Sequence, residues 1–527
     1  MNQKRLNILQ NWPFLLGLVL GLYFITLNVT GTDFAYFPGD LGDGRFNVYI
    51  LEHAHHYFSG NLNSFWDAPF MYPEKEIITF SDNLLGTAPI YSLFRICGAD
   101  IFTAFQFWFV VMAVLNYSSS FLFLNWLLKN KYAAVLGAFV FAFSMGLQSQ
   151  MSHAQTFPRF FIPLAIWMAL LFMNELKAKH FFLALFYTVM QFYSGIYLGF
   201  MLTIPMIFLF IIIILKNRKE LFQRIKQWKW LLKILIALTL NGLFLIVLMT
   251  PYYNRSLQTG ENIFEHVLHT VPLFKSYFFA QPGSPIWGFL RGIGVELQAS
   301  WDHHLFTGGI SLLSLILFFI LVAFRKKMNL QSLISKNILA MSLTALLTFL
   351  FVVRINEFTL YRLFFGLPGF GSMRSITRII NIEVLFFGIA VAVVALLVLN
   401  RFVKYKIPAF LMMLALLTFD NYFIVGSSYR FEKKTAQKRL NALKYKMKDI
   451  PSGGIVSYEP VERNDMVYCY QIDAMLAAQS LGLKTVNGYS GNSPGAYQPF
   501  WHEMNEQARI SWFESLNFKP KKVYVIH

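Results

Sequence analysis

Long runs of apolar residues recur along almost the whole chain and set the first limit on its fold. A run of about 20 apolar residues is long enough to cross the hydrocarbon core of a membrane as a helix. In hydrocarbon every backbone N–H and C=O group must be hydrogen-bonded within the protein, so a helix is the expected conformation of each run. The short alternating segments typical of a membrane β-barrel do not occur in the sequence. The sequence therefore predicts an all-α polytopic membrane protein.

The composition agrees with this fold class, since 56% of the 527 residues are hydrophobic and only 14% are charged. The apolar runs predict about 11 transmembrane helices. In chain order these are Pro13–Val29, Ile101–Leu128, Tyr132–Met151, Phe157–Met173, Phe181–Tyr193, Ile196–Leu215, Trp230–Thr250, Ile310–Phe324, Ile338–Val353, Ile379–Leu399 and Pro408–Val425. Only Tyr193-Ser194-Gly195 separates the fifth run from the sixth, so one long bent helix is the alternative there.

The net charge of +18 predicts the orientation. The short loops on one side of the predicted spans carry 20 Lys and Arg residues against two Glu residues, which accounts for the whole net charge, and the positive-inside rule assigns this side to the cytoplasm. The N-terminus is then cytoplasmic, and the C-terminus and all long loops lie outside. A basic chain can also indicate nucleic-acid binding. Here the charge is spread over short loops, so we expect membrane lipids and no nucleic acid as partners.

Two domains are expected. Residues 1–426 form the membrane domain, in which 31–100 is the first outer loop, and residues 427–527 form a small extracytoplasmic α/β domain. Within the latter, "PSGGIVSYEP" and "KKVYVIH" predict strands and "AMLAAQSLG" predicts a helix. Cys97 and Cys469 lie far apart in the sequence, so two free thiols are expected, with a single disulfide as the alternative.

The first outer loop is acidic and contains two segments with helical spacing of apolar residues. Phe46–Phe58 predicts an amphipathic helix that lies along the membrane surface. Asn83–Arg95 predicts a second one, with Ser81 or Asp82 as its N-cap.

Several motifs resemble those of a known superfamily. In the first outer loop these are "GDLGDGRFNVYILEH", "FWDAPFMYP" and "FSDNLLGTAPIYSLFR", and later in the chain they are "LPGFGSMRSITR" and "VNGYSGNSPGAY". They are similar to motifs of bacterial GT-C-type polytopic glycosyltransferases and their uncharacterised relatives. The resemblance implies a multispan transferase of the bacterial inner membrane. Its donor would be a polyprenyl-phosphate sugar, its acceptor an extracytoplasmic glycan, lipid or protein, and its base an aspartate of the first outer loop.

Asp40 and Asp43 are the candidates for this base. Inverting glycosyl transfer needs a carboxylate that accepts the proton of the acceptor hydroxyl. Both residues follow the first span directly, at the depth where a lipid-borne phosphate would lie. Asp43 is the preferred base because the helix that it opens would fix its position. The alternative is that both are turn residues, since Gly and Asp favour turns.

Arg374 and Arg378 are the candidates for binding the donor phosphate. They are four residues apart, so they would share one face at the start of a helix. Two guanidinium groups at a helix N-terminus suit a phosphate. The alternative is that they only anchor the span among lipid headgroups.

Further residues are predicted to contact substrate, namely Arg45, Glu52, His53, Asp82, His303, His304 and Tyr489. Simpler roles remain open for some of them. Glu52 and His53 could form a surface ion pair, and Asp82 could be a plain N-cap. The adjacent histidines of "WDHHLFTGG" cannot both face one metal from a helix, so an acceptor contact or a structural role is expected for them.

The sequence leaves metal use open. If Mg²⁺ or Mn²⁺ is used, Asp40, Asp43 and Asp82 are its expected ligands. The resemblance implies that a polyprenyl-monophosphate donor can also react without a metal.

Two other function classes compete with a transferase. A lipid-linked-sugar flippase or transporter would need ionisable residues inside the spans, where this sequence has few. A non-catalytic scaffold with an outer sensory domain would explain the C-terminal segment but not the acidic loop. Convergence of Asp40, Asp43, Glu52, Asp82 and Arg374 in one cleft would favour the transferase.

Overall fold

The structure, a computed structural model, describes residues 11–260, 262–294, 296–426 and 429–527 and is mostly helical. Up to residue 426, the α-helices are α1 (Trp12–Thr30, with a π-helical stretch), α2 (Asp43–Phe58), α3 (Ala88–Ile96), α4 (Ile101–Leu128), α5 (Lys131–Phe143), α6 (Phe161–Glu175), α7 (Ala178–Ser194), α8 (Ile196–Lys216), α9 (Arg218–Ile225), α10 (Trp228–Thr259), α11 (Phe264–Leu268), α12 (Gly309–Ala323), α13 (Lys336–Val352), α14 (Arg362–Phe365), α15 (Ile380–Arg401) and α16 (Lys406–Asn421).

A helix lies at each of the 11 positions that the apolar runs predict. Within the described residues, six helical segments are long and apolar enough to cross a membrane, and they contain α1, α4, α6, α8, α10 and α15. Three further apolar helices, α5, α12 and α13, are shorter. The chain thus has the helices of a multi-pass membrane protein, while the count of eleven crossings stays a prediction.

The alternative of one bent helix across Tyr193–Gly195 is wrong. α7 ends at Ser194, α8 begins at Ile196, and the two helices pack against each other. Gly195 lies between them, where a Cβ atom would come within 2.7 Å of the Gln155 carbonyl oxygen. Only glycine allows this close approach, which brings the start of α8 against the loop after α5.

The first predicted surface helix is buried instead. α2 begins at Asp43, and every residue from Gly44 to Ala54 is buried. It packs against α3 and α4 and against a helix near the C-terminus. The amphipathic pattern does not predict this burial, because it cannot show that charged residues on the polar side of the helix, such as Arg45 and Glu52, have partners within the protein.

The second predicted surface helix is shorter than expected. α3 begins after Thr87, so neither Ser81 nor Asp82 is its N-cap. It packs on α2 through Glu52, which accepts hydrogen bonds from Tyr91 (2.8 Å) and from Arg95 (2.7 and 3.0 Å).

The C-terminal segment contains strands and helices near the predicted positions. Its elements are β2 (Arg430–Glu432), α17 (Lys433–Met447), β3 (Ile455–Tyr458), α18 (Val467–Ser480), β4 (Lys484–Thr485), α19 (Gln498–Glu503), α20 (Glu506–Ser515) and β5 (Tyr524–Ile526). β3 is the centre of a parallel sheet with the order β4-β3-β5. β2 pairs antiparallel with β1 (Tyr36–Pro38) of the first outer loop. Cys97 and Cys469 are free thiols, as expected.

Backbone hydrogen bonds also join the C-terminal segment to the first outer loop. The Thr485 N–H donates to the Pro69 carbonyl at 2.9 Å, and the Met71 N–H donates to the Asn487 carbonyl at 3.1 Å. On α2, the Tyr49 carbonyl accepts from Gln479 at 3.1 Å. These bonds hold β4 and the residues on both sides of it against α2 and the loop that follows α2.

A buried charge network strengthens the same contact. Arg45 of α2 is 1% exposed, and its guanidinium binds Asp473 of α18 and the Cys469 carbonyl. Asp473 also accepts from Arg439 of α17, at 2.6 and 3.0 Å. Removing one partner of a buried ion pair leaves the other charge without compensation, which is strongly unfavourable.

We therefore expect Arg45→Ala to lower the free energy of unfolding by about 3–5 kcal/mol, the cost typical of breaking a buried pair. The measurement is thermal unfolding of the purified protein in detergent. Arg362→Ala is the matched control, because Arg362 pairs with Glu265 at 3.7 Å with both side chains about two-thirds exposed. Exposed pairs contribute about 0–1 kcal/mol. Equal melting temperatures for Arg45→Ala and the control would contradict the structural role given to Arg45.

Candidate active site

A cavity of about 660 Å³ lies where the first outer loop, α8, α10 and the segment before α15 meet the C-terminal segment. One part of its wall is apolar, formed by Phe192, Phe200, Leu245 and Met249. The other part is polar and charged. Its ionisable residues are Asp43, Asp82, His153, Tyr197, Tyr252, Tyr253, Arg255, Arg374, Arg378 and Tyr489. The cavity can therefore accept a ligand that has both an apolar and an anionic part.

Asp43, the first residue of α2, lies in the polar wall. Its Oδ2 is 3.0 Å from Nδ1 of His153, and its Oδ1 accepts a hydrogen bond from the Tyr489 hydroxyl. Burial alone would raise the pKa of Asp43, but the contacts with His153 and Tyr489 outweigh it, so the pKa lies below its usual value. The positive charge of Arg378 adds to this effect. Asp43 is thus ionised at neutral pH and available to accept a proton.

Asp40 has a different position and does not line the cavity. Its Oδ1 accepts hydrogen bonds from the backbone N–H groups of Gly42 (3.0 Å) and Gly44 (3.2 Å). Burial and the neighbouring charge of Asp43 raise its pKa, while the two backbone hydrogen bonds lower it, and the net shift is upward. Asp40 therefore shapes the turn that leads into α2.

Asp82 lines the cavity but also has a structural partner. It is 7% exposed, and its Oδ1 accepts a hydrogen bond from the backbone N–H of Ile196, the first residue of α8. Asp82 thus caps α8, a helix more than 100 residues later in the chain. Burial raises its pKa to about 6, although the Ile196 N–H and the charge of Arg378 oppose the shift.

Arg374 and Arg378 both line the cavity, but not from one helix face. Arg374 lies in an extended segment, and Arg378 lies in a 3₁₀ turn that precedes α15. The Arg374 guanidinium donates to the Gly491 carbonyl at 2.5 Å. The Arg378 guanidinium lies over the Tyr197 ring, 4.5 Å from its centroid. The Arg378 Nε is buried and has no hydrogen-bond partner among the described residues.

Three other predicted substrate contacts lie in α2, and their side chains are engaged with protein. Arg45 binds Asp473, as described above. Glu52 binds Tyr91 and Arg95. His53 is 1% exposed and lies 2.8 Å from the Phe65 carbonyl. None of the three lines the cavity.

His303 and His304 also lie outside the cavity wall. His303 is fully buried between Ser276 (2.7 Å) and the His269 carbonyl (2.8 Å). His304 lies 3.0 Å from the Ala280 carbonyl and stacks on Phe279. Burial lowers the pKa of His304 to about 4, so it is neutral at physiological pH.

The three aspartates that were predicted as metal ligands are not gathered into one site. Asp40 faces its own turn and Asp82 faces the N-terminus of α8. Within the described part of the chain, no group of three or more His, Cys, Asp and Glu side chains has an arrangement that could hold a metal ion. The positive charge at the cavity wall comes from arginines instead.

His153 and residues 490–492 line the cavity but were not predicted. His153 lies in the loop between α5 and α6, and the sequence shows it only as a single histidine next to an apolar run. Residues 490–492 belong to the "VNGYSGN" motif, from which only Tyr489 was selected. Residues 490–492 line the cavity only because their segment contacts the start of α2, which lies more than 400 residues earlier in the chain.

The chemical capacity of the site follows from this geometry. One ionised carboxylate and one guanidinium with an unpaired N–H face the same cavity, and the pKa of Asp43 depends on the charge of Arg378. A carboxylate can take a proton from a hydroxyl, and a guanidinium can bind and stabilise a phosphate oxygen.

No protein-family model and no curated protein sequence matches the chain. Among solved structures, the chain is similar to the crystal structure of the oligosaccharyltransferase of Archaeoglobus fulgidus in its apo form. The TM-score is 0.53 and the sequence identity is 14%, and the match covers 96% of this chain and 68% of that one. The matched enzyme is archaeal, so the match does not assign a bacterial branch. At this identity the similarity shows the fold alone, and over most of its length the chain shares the fold of that structure.

Proposed function

We propose that this protein is an integral-membrane, inverting glycosyltransferase of the bacterial inner membrane. It transfers a sugar from a polyprenyl-phosphate donor to an extracytoplasmic glycan, lipid or protein. The observation that carries the proposal is that Asp43 and Arg378 face one cavity, of which another part of the wall is apolar. The N-terminus is cytoplasmic, the eleven predicted spans cross the membrane, and the cavity opens on the outer side.

In the proposed reaction Asp43 is the base. Its ionised carboxylate accepts the proton of the acceptor hydroxyl while that oxygen attacks the anomeric carbon of the donor. The bond from this carbon to the phosphate oxygen breaks, and the configuration is inverted. The Tyr489 hydroxyl and His153 hold the carboxylate in place from two sides.

Arg378 binds the donor phosphate in this proposal. Its unpaired Nε–H can donate to a phosphate oxygen, and its charge stabilises the phosphate as it leaves. The apolar wall formed by Phe192, Leu245 and Met249 contacts the first isoprene units of the lipid. Arg374 holds residues 490–492 in place through the Gly491 carbonyl and contributes charge at longer range.

Asp43→Asn should lower the rate of transfer by about 10²–10⁴, the range typical for loss of a general base. Asp40→Asn is the matched control: an asparagine oxygen can still accept from Gly42 and Gly44, so activity should stay within a few-fold of wild type. Transfer is followed by mass spectrometry with a panel of polyprenyl-phosphate sugars and the envelope fraction as acceptor. A large loss in Asp40→Asn together with normal activity in Asp43→Asn would reverse the two assignments.

Arg378→Lys should reduce kcat/KM for the donor by about 10–100-fold, because a lysine keeps the charge but loses the guanidinium geometry and its hydrogen bonds. The loss falls on kcat as well as KM if Arg378 stabilises the leaving phosphate. Arg374→Lys should cost less, since the Arg374 guanidinium already donates to a backbone carbonyl. Unchanged donor kinetics in Arg378→Lys would leave this arginine as a headgroup anchor only.

Asp82 provides a test that depends on pH. Its pKa is about 6 in the folded protein, against an ordinary value of 3.8. Between these two pH values the folded state keeps a proton that the unfolded state has lost, so stability falls as the pH rises to about 6. Asp82→Asn stays neutral and can still accept from Ile196. It should therefore be more stable than wild type at pH 7.5, by about 2–3 kcal/mol, and equal to wild type near pH 4.

Thermal unfolding at several pH values measures this difference. Asp100→Asn is the control with the opposite sign. Asp100 caps α4, and its pKa is lowered because the Thr103 hydroxyl and two backbone N–H groups outweigh its partial burial. Removing that charge should destabilise the protein at neutral pH. A Asp82→Asn variant less stable than wild type at pH 7.5 would show that the Asp82 charge is favourable in the folded protein.

A further inference from the structure

A second concave surface lies at the opposite end of α10, between the start of that helix and the loop that joins α6 to α7. Its volume is about 840 Å³. A hydrogen bond of 2.7 Å from the Trp230 indole to the Leu176 carbonyl joins its two sides. We name this surface the basic groove, because its lining contains the cationic residues Lys177, Lys179, Arg224, Lys229 and Lys233.

The positive charge of the basic groove is mostly uncompensated. Glu175 is the single acidic residue in its lining, and it pairs with Lys177 at 2.7 Å. Arg224 donates only to the amide oxygen of Gln227, at 3.4 Å. Across the described ranges, no ion pair forms at Lys179, Lys229 or Lys233. The groove therefore has enough positive charge for an anion to contact several cationic side chains at once.

Another part of the groove lining is apolar and exposed. Phe182, Ile236 and Leu240 belong to the lining, and the last two are 46% and 52% exposed. α10 is the least buried of the six long apolar helices. Only 17% of its most apolar 18-residue stretch is buried. From Trp228 to Leu240 the helix rises about 18 Å, so the groove is long enough to accept both a headgroup and part of an acyl chain.

The segment beside the groove has the composition of a membrane interface. In α9, Phe222 and Ile225 are 63% and 52% exposed, and Trp228 at the start of α10 is 66% exposed. Aromatic and aliphatic side chains that alternate with Lys and Arg are typical of segments at the level of lipid headgroups.

We propose that the basic groove is a binding site for an anionic phospholipid, with the phosphate held by Lys229 and Lys233 and an acyl chain against Ile236 and Leu240. A soluble phosphate compound would use the charge but not the exposed apolar wall, which favours a lipid. Basic recesses between helix ends on the cytoplasmic side suit anionic headgroups. The proposal does not depend on the transferase activity, because no residue of the candidate active site lines this groove.

The test compares two double variants that remove the same charge. Lys229→Gln with Lys233→Gln alters the groove, whereas Lys326→Gln with Lys327→Gln removes two exposed charges from the loop after α12, outside the groove. Native mass spectrometry of the delipidated full chain measures binding of phosphatidylglycerol, with phosphatidylcholine as the zwitterionic comparison. We expect about 30-fold weaker phosphatidylglycerol binding in the groove variant, roughly fivefold per lysine, and at most a small change in the loop variant.

Three outcomes would overturn the proposal. Equal losses in the two variants would mean that phosphatidylglycerol follows net charge and not the groove. Equal binding of phosphatidylcholine and phosphatidylglycerol to wild type would exclude recognition of the anionic headgroup. Displacement of the lipid by millimolar glycerol phosphate would identify a soluble anion as the ligand. Transfer activity is measured in parallel, so a failure of the proposed function is distinguished from a failure of this site.

Discussion

The contact between α2 and the C-terminal segment fixes the position of the candidate base. Arg45 and Asp473 form a buried ion pair, and Arg439 completes the charge balance around Asp473. Two residues before Arg45, the chain enters α2 at Asp43, and the same C-terminal segment supplies Tyr489 to its carboxylate. Displacement of α18 would thus move both the helix that carries the base and the hydroxyl that orients it. The C-terminal segment and residues 31–100 are thus packed together, and the geometry around the candidate base depends on both.

The electrostatic environment then separates the carboxylates into different roles. Asp43 has strong donors and a nearby positive charge, which hold its pKa down, whereas burial dominates at Asp82 and holds its pKa up. The charge of Arg378 lowers both pKa values, and its Nε–H has no hydrogen-bond acceptor among the described residues. A partly buried guanidinium with an unsatisfied N–H is unfavourable unless an acceptor, a water molecule or an anion, binds to it. This N–H is therefore available to an anionic ligand, as the proposed contact with the donor phosphate requires.

The sequence predicted the helix positions because apolar runs record burial in lipid or protein directly. It also selected Asp43, Asp82, Arg374, Arg378 and Tyr489, all of which line the cavity. It could not separate these from Arg45 or His303, since a charged residue has the same appearance in the sequence whether its partner is a ligand or another segment. The helix capped by Asp82 begins at Ile196, and His153 reaches Asp43 across a loop. Such long-range contacts leave no local pattern.

Residues of α10 line both the cavity of the candidate active site and the basic groove, and the two sites differ in their charged residues. At the C-terminal end of α10, arginines lie beside carboxylates whose pKa values are shifted in opposite directions, a combination that suits both binding of an anion and proton transfer. At the other end, lysines surround a single glutamate that is already paired with Lys177, and that site can only bind. Both recesses add an apolar wall to their charges, which suits ligands that carry a hydrocarbon chain. One loosely packed helix thus lines, near its two ends, both the candidate active site and the proposed lipid-binding groove.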